Sequence, residues 1–217
     1  MNPSLEFEYR LWDGGHNCIA GLDEVGRGAW AGPVVAAAVI LPAARPDLPA
    51  VLHQVRDSKT LTPRMREVLC SLIRSTALAV GVGLASPHYI DTHRIVAATE
   101  RAMEMAVHNL RLSPDHLLID ALRLPAVPVP QYSLIKGDAR VLSIAAASIV
   151  AKVVRDHWMV ALDRYYSGYD FARNKGYGTP NHRAALMALG PSPAHRMSFA
   201  PLRALCGDDG KRSYRGD

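Results

Sequence analysis

The order of apolar segments along the chain is the feature that most constrains its fold. Strand patterns at 17–23 and 33–41 are joined by a tight glycine-rich connection, which predicts a β-hairpin. Further strands are predicted at 78–85, 116–120 and 131–135. Helices are predicted at 62–74, 92–112, 141–166 and 181–189. A hairpin followed by alternating helices and strands, with a helical C-terminal part, favours an α/β or α+β fold with a mixed sheet.

The composition is that of an ordinary soluble globular protein. The 217 residues are 49% hydrophobic and 21% charged, and a chain of this length buries a sufficient core without disulfides. No uncharged apolar stretch is long enough to span a bilayer, and the N-terminal residues lack the order of a signal peptide. Three widely spaced cysteines without a CxxC pair indicate a reducing compartment. We therefore expect a cytoplasmic protein with no membrane partner.

The net charge of +5 is unevenly distributed along the chain. Residues 1–138 carry 13 Lys+Arg and 14 Asp+Glu, whereas residues 139–217 carry 12 and 6. A basic segment in a soluble protein favours a polyanionic partner, with nucleic acid the first candidate. A solvated surface with a basic bias explains the same numbers and stays open as an alternative.

Two adjacent carboxylates form the most informative motif. Asp23 and Glu24 close an apolar strand and lead directly into Gly26, Arg27 and Gly28. Neighbouring side chains on a strand point to opposite faces, so both acids can serve one site only where the strand breaks. Glycine permits that break and lets a ligand approach the backbone closely. The alternative is an exposed turn with acids in ordinary capping positions.

Two further acids stand at the ends of predicted elements. Asp120 ends the apolar run 117–119, a common place for active-site acids in sheet enzymes, and Asp138 precedes the alanine-rich helix. Each is also explained as a turn or helix cap. Together with Asp23 and Glu24, they form a set of hard oxygen ligands suited to Mg²⁺ or Mn²⁺. Two such ions activate water and stabilise the leaving oxygen in phosphodiester cleavage.

Two loop motifs are candidate contacts to a nucleic acid. Tyr177 lies between two glycines and is sterically free to stack on a base or sugar, and Lys175 is placed to meet a phosphate. Lys59 is either a second phosphate contact or part of a turn that leads into a helix. We expect scattered histidines such as His182 and His195 to be packed or capping residues rather than ligands.

These motifs together resemble the signature of bacterial ribonuclease HII, a type 2 ribonuclease H. The similar segments follow the family's order at 19–41, 57–59, 118–120, 136–156, 175–179 and 195–199. The similarity extends over roughly residues 11–202, nearly the whole chain. The chain departs from the family's pattern at Ala29, Trp30 and Arg94, where we expect effects on packing rather than on chemistry.

The resemblance implies an α/β fold of the ribonuclease H-like type. Its expected form is a mixed five-stranded sheet flanked by helices, with a helical C-terminal extension. Residues 1–166 are expected to form the catalytic domain, and 167–217 an extension packed on it rather than an independent domain.

The resemblance also implies a metal-dependent endoribonuclease. It would hydrolyse the phosphodiester on the 5′ side of ribonucleotides, in RNA–DNA hybrids and embedded in duplex DNA, leaving 3′-hydroxyl and 5′-phosphate ends. Carried over by position, the catalytic, metal-binding acids are Asp23, Glu24, Asp120 and Asp138. The candidate substrate-binding residues are Gly26, Arg27, Gly28, Lys59, Lys175 and Tyr177. The glycine-rich turn is implied to read the 2′-hydroxyl, and Tyr177 to stack on the neighbouring deoxyribose at an RNA–DNA junction.

The expected partners are RNA–DNA hybrid and ribonucleotide-containing duplex DNA, with Mg²⁺ or Mn²⁺ as cofactor and a monomeric state. The tail 207–217 does not look like the clamp-binding motif of some relatives, which speaks against a sliding-clamp interaction. Two alternatives stay open on the residues alone. A non-catalytic nucleic-acid-binding module would show no metal-dependent cleavage, and another ribonuclease H-like nuclease, such as a junction resolvase, would cut DNA that holds no ribonucleotide.

Overall fold

A mixed five-stranded sheet organises the chain in the computed structural model, which describes residues 2–43 and 45–206. Its strands are β1 (Ile19–Val25), β2 (Val34–Ile40), β3 (Ala79–Ala85), β4 (His116–Asp120) and β5 (Gln131–Leu134). Their order across the sheet is β3-β2-β1-β4-β5. β1 runs antiparallel to β2 and parallel to β4, which is itself parallel to β5. The expected mixed five-stranded sheet is therefore confirmed.

Helices flank the sheet, and over the residues described the four helices expected from the sequence are present beside four shorter ones that were not predicted. Within the described residues they are α1 (Glu6–Asp13), α2 (Leu48–Val51), α3 (Pro63–Thr76), α4 (Pro87–His108), α5 (Leu142–Tyr165), α6 (Phe171–Asn174), α7 (Pro180–Leu189) and α8 (Ala200–Cys206), with 3₁₀ turns at Ser58–Thr60 and Gly137–Ala139. α3 begins as predicted, because Pro63 occupies its first turn and the Thr62 side chain accepts a hydrogen bond from the Met65 amide at 3.3 Å.

The helix predicted at 92–112 is wrong at both ends. α4 begins at Pro87, ends at His108 and is interrupted at Arg94, whose φ of 72° is not helical. α1 was not predicted at all. Its Phe7 and Leu11 pack against the buried cluster that contains Ile19 and Ile144, so distant contacts rather than a local pattern account for this short helix.

The first of two compact units consists of the described residues within 1–25, 35–84 and 99–154, and it contains the sheet apart from Val34 of β2 and Ala85 of β3. Its core joins apolar residues of β2 and α3 to the alanine-rich face of α5. β1 and α5 approach unusually closely, since a Cβ added at Gly21 would lie 2.3 Å from the Ser143 carbonyl carbon. The small side chains at 145–147 of α5 are all buried, as the close packing predicted for this run requires.

Among the described residues, the second unit consists of residues 26–34, 85–98 and 155–206. Its core includes Ala31, Met159, Phe171 and Leu186. Packing thus groups the glycine-rich segment after β1 with the C-terminal part of the chain. The boundary expected at residue 166 stays a prediction about domains.

None of the helices in the described part of the chain is long and apolar enough to cross a membrane.

Candidate active site

Asp23 lies near the end of β1, and its side chain is buried. Its Oδ1 accepts a hydrogen bond from the Glu24 amide at 2.7 Å, and the Ser148 hydroxyl donates to the same carboxylate. Burial raises the pKa of Asp23 well above its usual value, and the negative charges of Glu24 and Asp120 raise it further. Three of the four predicted acids are therefore coupled electrostatically.

The parallel pairing of β1 and β4 explains this proximity. Leu22 pairs with Ile119, so Asp23 and Asp120 are the next residues along neighbouring parallel strands. The carboxyl ends of parallel strands meet at one edge of a sheet, a common location for active sites. Glu24 follows at the same edge and is half-buried. The predicted break of the strand at these acids is wrong, because β1 stays paired with β2 as far as Val25; the charge of Glu24 nevertheless raises the pKa of Asp23.

Asp120 also orders the turn that carries the fourth acid. Its Oδ1 accepts a hydrogen bond from the Gly137 amide at 2.7 Å, so the turn-capping role considered for Asp120 is present in the structure. Gly137 begins the 3₁₀ turn that contains Asp138. The Asp138 Oδ2 lies 3.7 Å from the Nζ of Lys59.

The negative charges of the predicted acids act on the Lys59 ammonium. Partial burial by itself would lower the pKa of Lys59, but the negative charges of Asp57, Asp138, Asp23 and Asp120 outweigh burial and raise it. The motif also forms the predicted turn, since the Lys59 amide donates to the Asp57 carboxylate at 2.9 Å. The interpretation of this motif as a turn is therefore confirmed, and the phosphate contact of Lys59 stays a prediction.

The four acids do not form a closed set of metal ligands as they stand. Within residues 2–43 and 45–206, no three His, Cys, Asp or Glu side chains are grouped closely enough to hold a metal ion together. The donor chemistry nevertheless fits a divalent cation. All four acids offer hard carboxylate oxygens, and the burial and repulsion that raise the pKa of Asp23 are what a Mg²⁺ or Mn²⁺ ion would offset.

The two glycines of the turn after β1 have different surroundings, both within the second unit. Gly26 is buried with φ 95°, and a Cβ there would lie 2.0 Å from the Arg155 Nε. Gly28 is exposed, and a Cβ there would meet no atom within 4 Å. Close approach of a ligand to the backbone, as predicted for this turn, is therefore possible at Gly28. At Gly26, glycine is required because a side chain would clash with Arg155. Arg27 between them is half-buried.

Tyr177 and Lys175 belong to the same unit as this turn. The Tyr177 side chain is 38% exposed, so one part of its ring is available to a ligand. The Arg155 guanidinium lies 5.6 Å from the ring centroid. Lys175 is half-buried and its ammonium donates to the Ala172 carbonyl at 2.6 Å, so it is held against its own chain.

Two buried histidines fix the backbone of Tyr177. The Ser192 amide donates to the Nδ1 of His195, so the Nε2 of His195 carries the proton and donates to the Nε2 of His182 at 3.0 Å. The Nδ1 of His182 then donates to the Tyr177 carbonyl at 2.9 Å. Burial lowers the pKa of both rings, that of His195 to about 4, which keeps this chain of hydrogen bonds neutral.

Sequence reasoning missed the residues that support the site. Ser148, which donates to Asp23, is itself hydrogen-bonded to the buried Ser58 at 3.0 Å. Arg155 and Arg196 are fully buried in the second unit. A signal for Arg155 was available, because a charged residue follows the apolar pair 153–154 within a helix. Nothing local marked Ser148.

Comparison with known proteins identifies the family. The family model for ribonuclease HII matches residues 20–202. The chain belongs to the ribonuclease HII family. A ribonuclease HII from Roseiflexus castenholzii is 54% identical over 200 residues, covering 92% of this chain and 89% of that protein.

Solved structures share the fold. The ribonuclease H2 of Pyrococcus horikoshii superposes with a TM-score of 0.73 at 26% identity, covering 86% of this chain and 96% of that one. Ribonuclease HII of Archaeoglobus fulgidus, solved in complex with PCNA, gives a TM-score of 0.69 at 27% identity, covering 84% and 95%. The ribonuclease H-like fold expected from the sequence is confirmed.

Membership of the ribonuclease HII family makes the chain a type 2 ribonuclease H, an endonuclease that acts on RNA–DNA hybrids. The alternative of a non-catalytic binding module is thereby excluded. The assignment of individual residues within the site stays a prediction.

Proposed function

We propose that the protein is a divalent-metal-dependent endonuclease that cuts on the 5′ side of a ribonucleotide, both in RNA–DNA hybrids and at single ribonucleotides embedded in duplex DNA. Its products have 3′-hydroxyl and 5′-phosphate ends. The observation that carries this proposal is the electrostatic coupling of Asp23 to Glu24 and Asp120 at one edge of the sheet. A buried carboxylate that is repelled by two neighbouring acids is costly to a fold unless a cation offsets the charge.

In this proposal Asp23, Glu24, Asp120 and Asp138 hold the cation. Bound Mg²⁺ or Mn²⁺ supplies the Lewis acidity for activating water and for stabilising the leaving 3′-oxygen. Ser148 and the Glu24 amide orient the Asp23 carboxylate. The Gly137 amide donates to Asp120 Oδ1 and so orients that carboxylate.

Lys59 has two roles in the proposed mechanism. Before the cation binds, its ammonium lies against Asp138 and offsets part of the negative charge of the acids. Its side chain is 80% exposed, so it is also free to approach a substrate phosphate once the cation neutralises the acids.

Recognition of the ribonucleotide is proposed to come from the second unit. Gly28 offers an open backbone that a sugar can approach, which suits a hydrogen bond to the 2′-hydroxyl. The partly exposed ring of Tyr177 stacks on the neighbouring deoxyribose. Arg27 and Lys175 are proposed as further substrate contacts.

We further propose a cytoplasmic monomer whose partners are hybrid and ribonucleotide-containing duplexes. The segment considered for a clamp-binding motif, 207–217, lies outside the described residues, and the solved PCNA complex concerns the Archaeoglobus protein. The prediction against a sliding-clamp interaction therefore stays as it was made.

The test is cleavage of a labelled DNA duplex with one embedded ribonucleotide, in the presence of Mg²⁺ or Mn²⁺. Asp23→Asn and Asp120→Asn should each slow cleavage about 100-fold or more, because each loses a negative ligand of the cation. Asp13→Asn is the matched control, since Asp13 is exposed at the end of α1. Wild-type rates in both active-site variants would refute the site. Equal cutting of an all-DNA duplex would favour a resolvase-like nuclease.

A further inference from the structure

Two fully buried arginines underlie the glycine-rich segment 26–34, which we call the recognition loop. Arg155 and Arg196 both have no exposed surface. Both belong to the same compact unit as the recognition loop and Tyr177. Neither is among the residues to which the proposed function gives a role.

Arg155 ties three carbonyl groups together. Its Nε donates to the Pro33 carbonyl at 2.9 Å and its Nη2 to the Ala31 carbonyl at 3.1 Å, both in the recognition loop. Its Nη1 donates to the Lys175 carbonyl at 2.9 Å. One planar group therefore fixes the loop relative to the segment that leads into Tyr177.

Arg196 links the two ends of the recognition loop. Its Nε and Nη2 donate to the Gly32 carbonyl at 2.9 Å and 2.8 Å. Its Nη1 donates to the Arg27 carbonyl at 2.9 Å. With that carbonyl directed inward, the peptide next to Gly28 has a fixed orientation before any ligand arrives.

This arrangement is costly to the fold. Burial lowers the pKa of Arg196 to about 9, the charge of Arg155 lowers it further, and the charges of Tyr177 and Asp91 offset only part of this shift. Apolar side chains of similar size would fill the same space without desolvating a charge. Two buried cations that donate almost entirely to loop carbonyls are better explained by the need to hold those carbonyls in place.

We propose that Arg155 and Arg196 are positioning residues, which hold the recognition loop and the backbone at Tyr177 in the geometry that reads a ribonucleotide. This inference rests on the proposed function of the loop. A glycine-rich loop that was free to move would lose conformational entropy on binding, and pre-organisation by the two guanidiniums removes that cost. The fork of donors is essential, because a single ammonium cannot hold two separated carbonyls in one plane.

The test compares Arg196→Met, Arg196→Lys and wild type under multiple-turnover conditions. The readouts are kcat and KM for a duplex with one embedded ribonucleotide, and the inhibition constant Ki of an all-DNA duplex of the same sequence. The discrimination ratio is Ki divided by KM. We expect Arg196→Met to raise KM and to lower this ratio by roughly 10- to 100-fold, the effect of a misplacement of about 1 Å in a binding site. We expect Arg196→Lys, which keeps the charge and loses the fork, to lower it as well.

Gln131 provides a matched control. Its side-chain amide also holds a loop through backbone groups, accepting from the Leu124 amide at 2.8 Å and donating to the Leu124 carbonyl at 3.0 Å. Gln131→Met should reduce thermal stability while the discrimination ratio stays at the wild-type value.

The outcomes distinguish failure of the positioning role from failure of the proposed function. A merely structural role would lower the folded fraction and therefore kcat, with KM and the discrimination ratio unchanged. That result in both Arg196 variants would overturn the inference, and so would an equal fall of the ratio in Gln131→Met. Since Arg196→Lys preserves the buried charge, it decides the matter if Arg196→Met does not fold. A wild-type ratio near one would instead refute the proposed function itself.

Discussion

Gly21 is the residue at which a single methyl group should disrupt both the fold and the site. A Cβ at this position would lie 2.3 Å from the Ser143 carbonyl carbon and 2.5 Å from the Ile144 amide nitrogen. Ordinary van der Waals contact begins at 3.4 Å, so β1 and α5 would have to separate by about 1.1 Å. Both of these atoms belong to the helix backbone and cannot rotate away, although the Ser143 hydroxyl, which is equally close, belongs to a side chain.

We predict that Gly21→Ala destabilises the protein by about 2–4 kcal/mol, the range for overpacking against a rigid neighbour. For a chain of this size, that corresponds to a fall in Tm of roughly 5–15 °C. Thermal unfolding measures this directly. Gly14→Ala is the matched control, because its Cβ would lie 3.3 Å from the nearest atom and its φ is −78°. We expect the control to change Tm by no more than a few degrees.

The same substitution should impair cleavage at temperatures where the variant is folded. Gly21 and Asp23 lie on one face of β1, because they are two residues apart on a strand. Asp23 accepts its hydrogen bond from Ser148 on α5, so a separation of strand and helix by about 1 Å displaces the carboxylate from its donor. We expect kcat to fall on the order of 100-fold. Wild-type stability and wild-type kcat in Gly21→Ala would refute the close-packing argument.

Three further predictions concern single residues of the site. Asp23→Asn should be more stable than wild type at neutral pH without divalent metal. The pKa of Asp23 is raised in the folded protein, so the stability that Asp23 contributes is present below about pH 3.8 and is lost as the pH rises through its folded-state pKa. The advantage of Asp23→Asn in urea denaturation should therefore shrink on acidification. Gly28→Ala should keep the wild-type Tm, since the added Cβ meets no atom within 4 Å. It should nevertheless raise KM for a duplex with one ribonucleotide, and an unchanged KM would count against ligand approach at this position. Tyr177→Ala should reduce cleavage at a single embedded ribonucleotide more than cleavage of a long hybrid, and equal losses would contradict the junction-reading role.

Much of the fold could be predicted because its signals are local. The strand at 116–120 and the start of α3 follow from an apolar run and from a threonine followed by proline, and both have the expected bounds. The failures were at elements whose stability comes from distant contacts. α1 packs on residues far along the chain. Arg94 stood out in the sequence only as a departure from the family's pattern, which did not indicate that α4 is interrupted there.

The candidate site likewise contains residues that could be predicted from the sequence and residues that could not. Residue types and their order pointed to Asp23 and Asp120 as acids of one site, and the parallel pairing of β1 with β4 brings them to one sheet edge. The hydrogen bond from Ser148 could not be predicted, because it depends on how α5 lies against β1. The roles of Arg155 and Arg196 depend likewise on which carbonyls face them in the folded chain.

The sequence by itself determined the alternation of strands and helices, the set of hard carboxylate ligands and the resemblance to ribonuclease HII. These depend on periodicity, capping and residue chemistry, which act over a few neighbouring residues. Only the tertiary structure decided that Gly26 makes room for the Arg155 guanidinium while Gly28 opens to a ligand, and that the carboxylate of Asp120 orders the turn of Asp138. Such relations arise from strand order and close packing, which join residues that no local pattern connects.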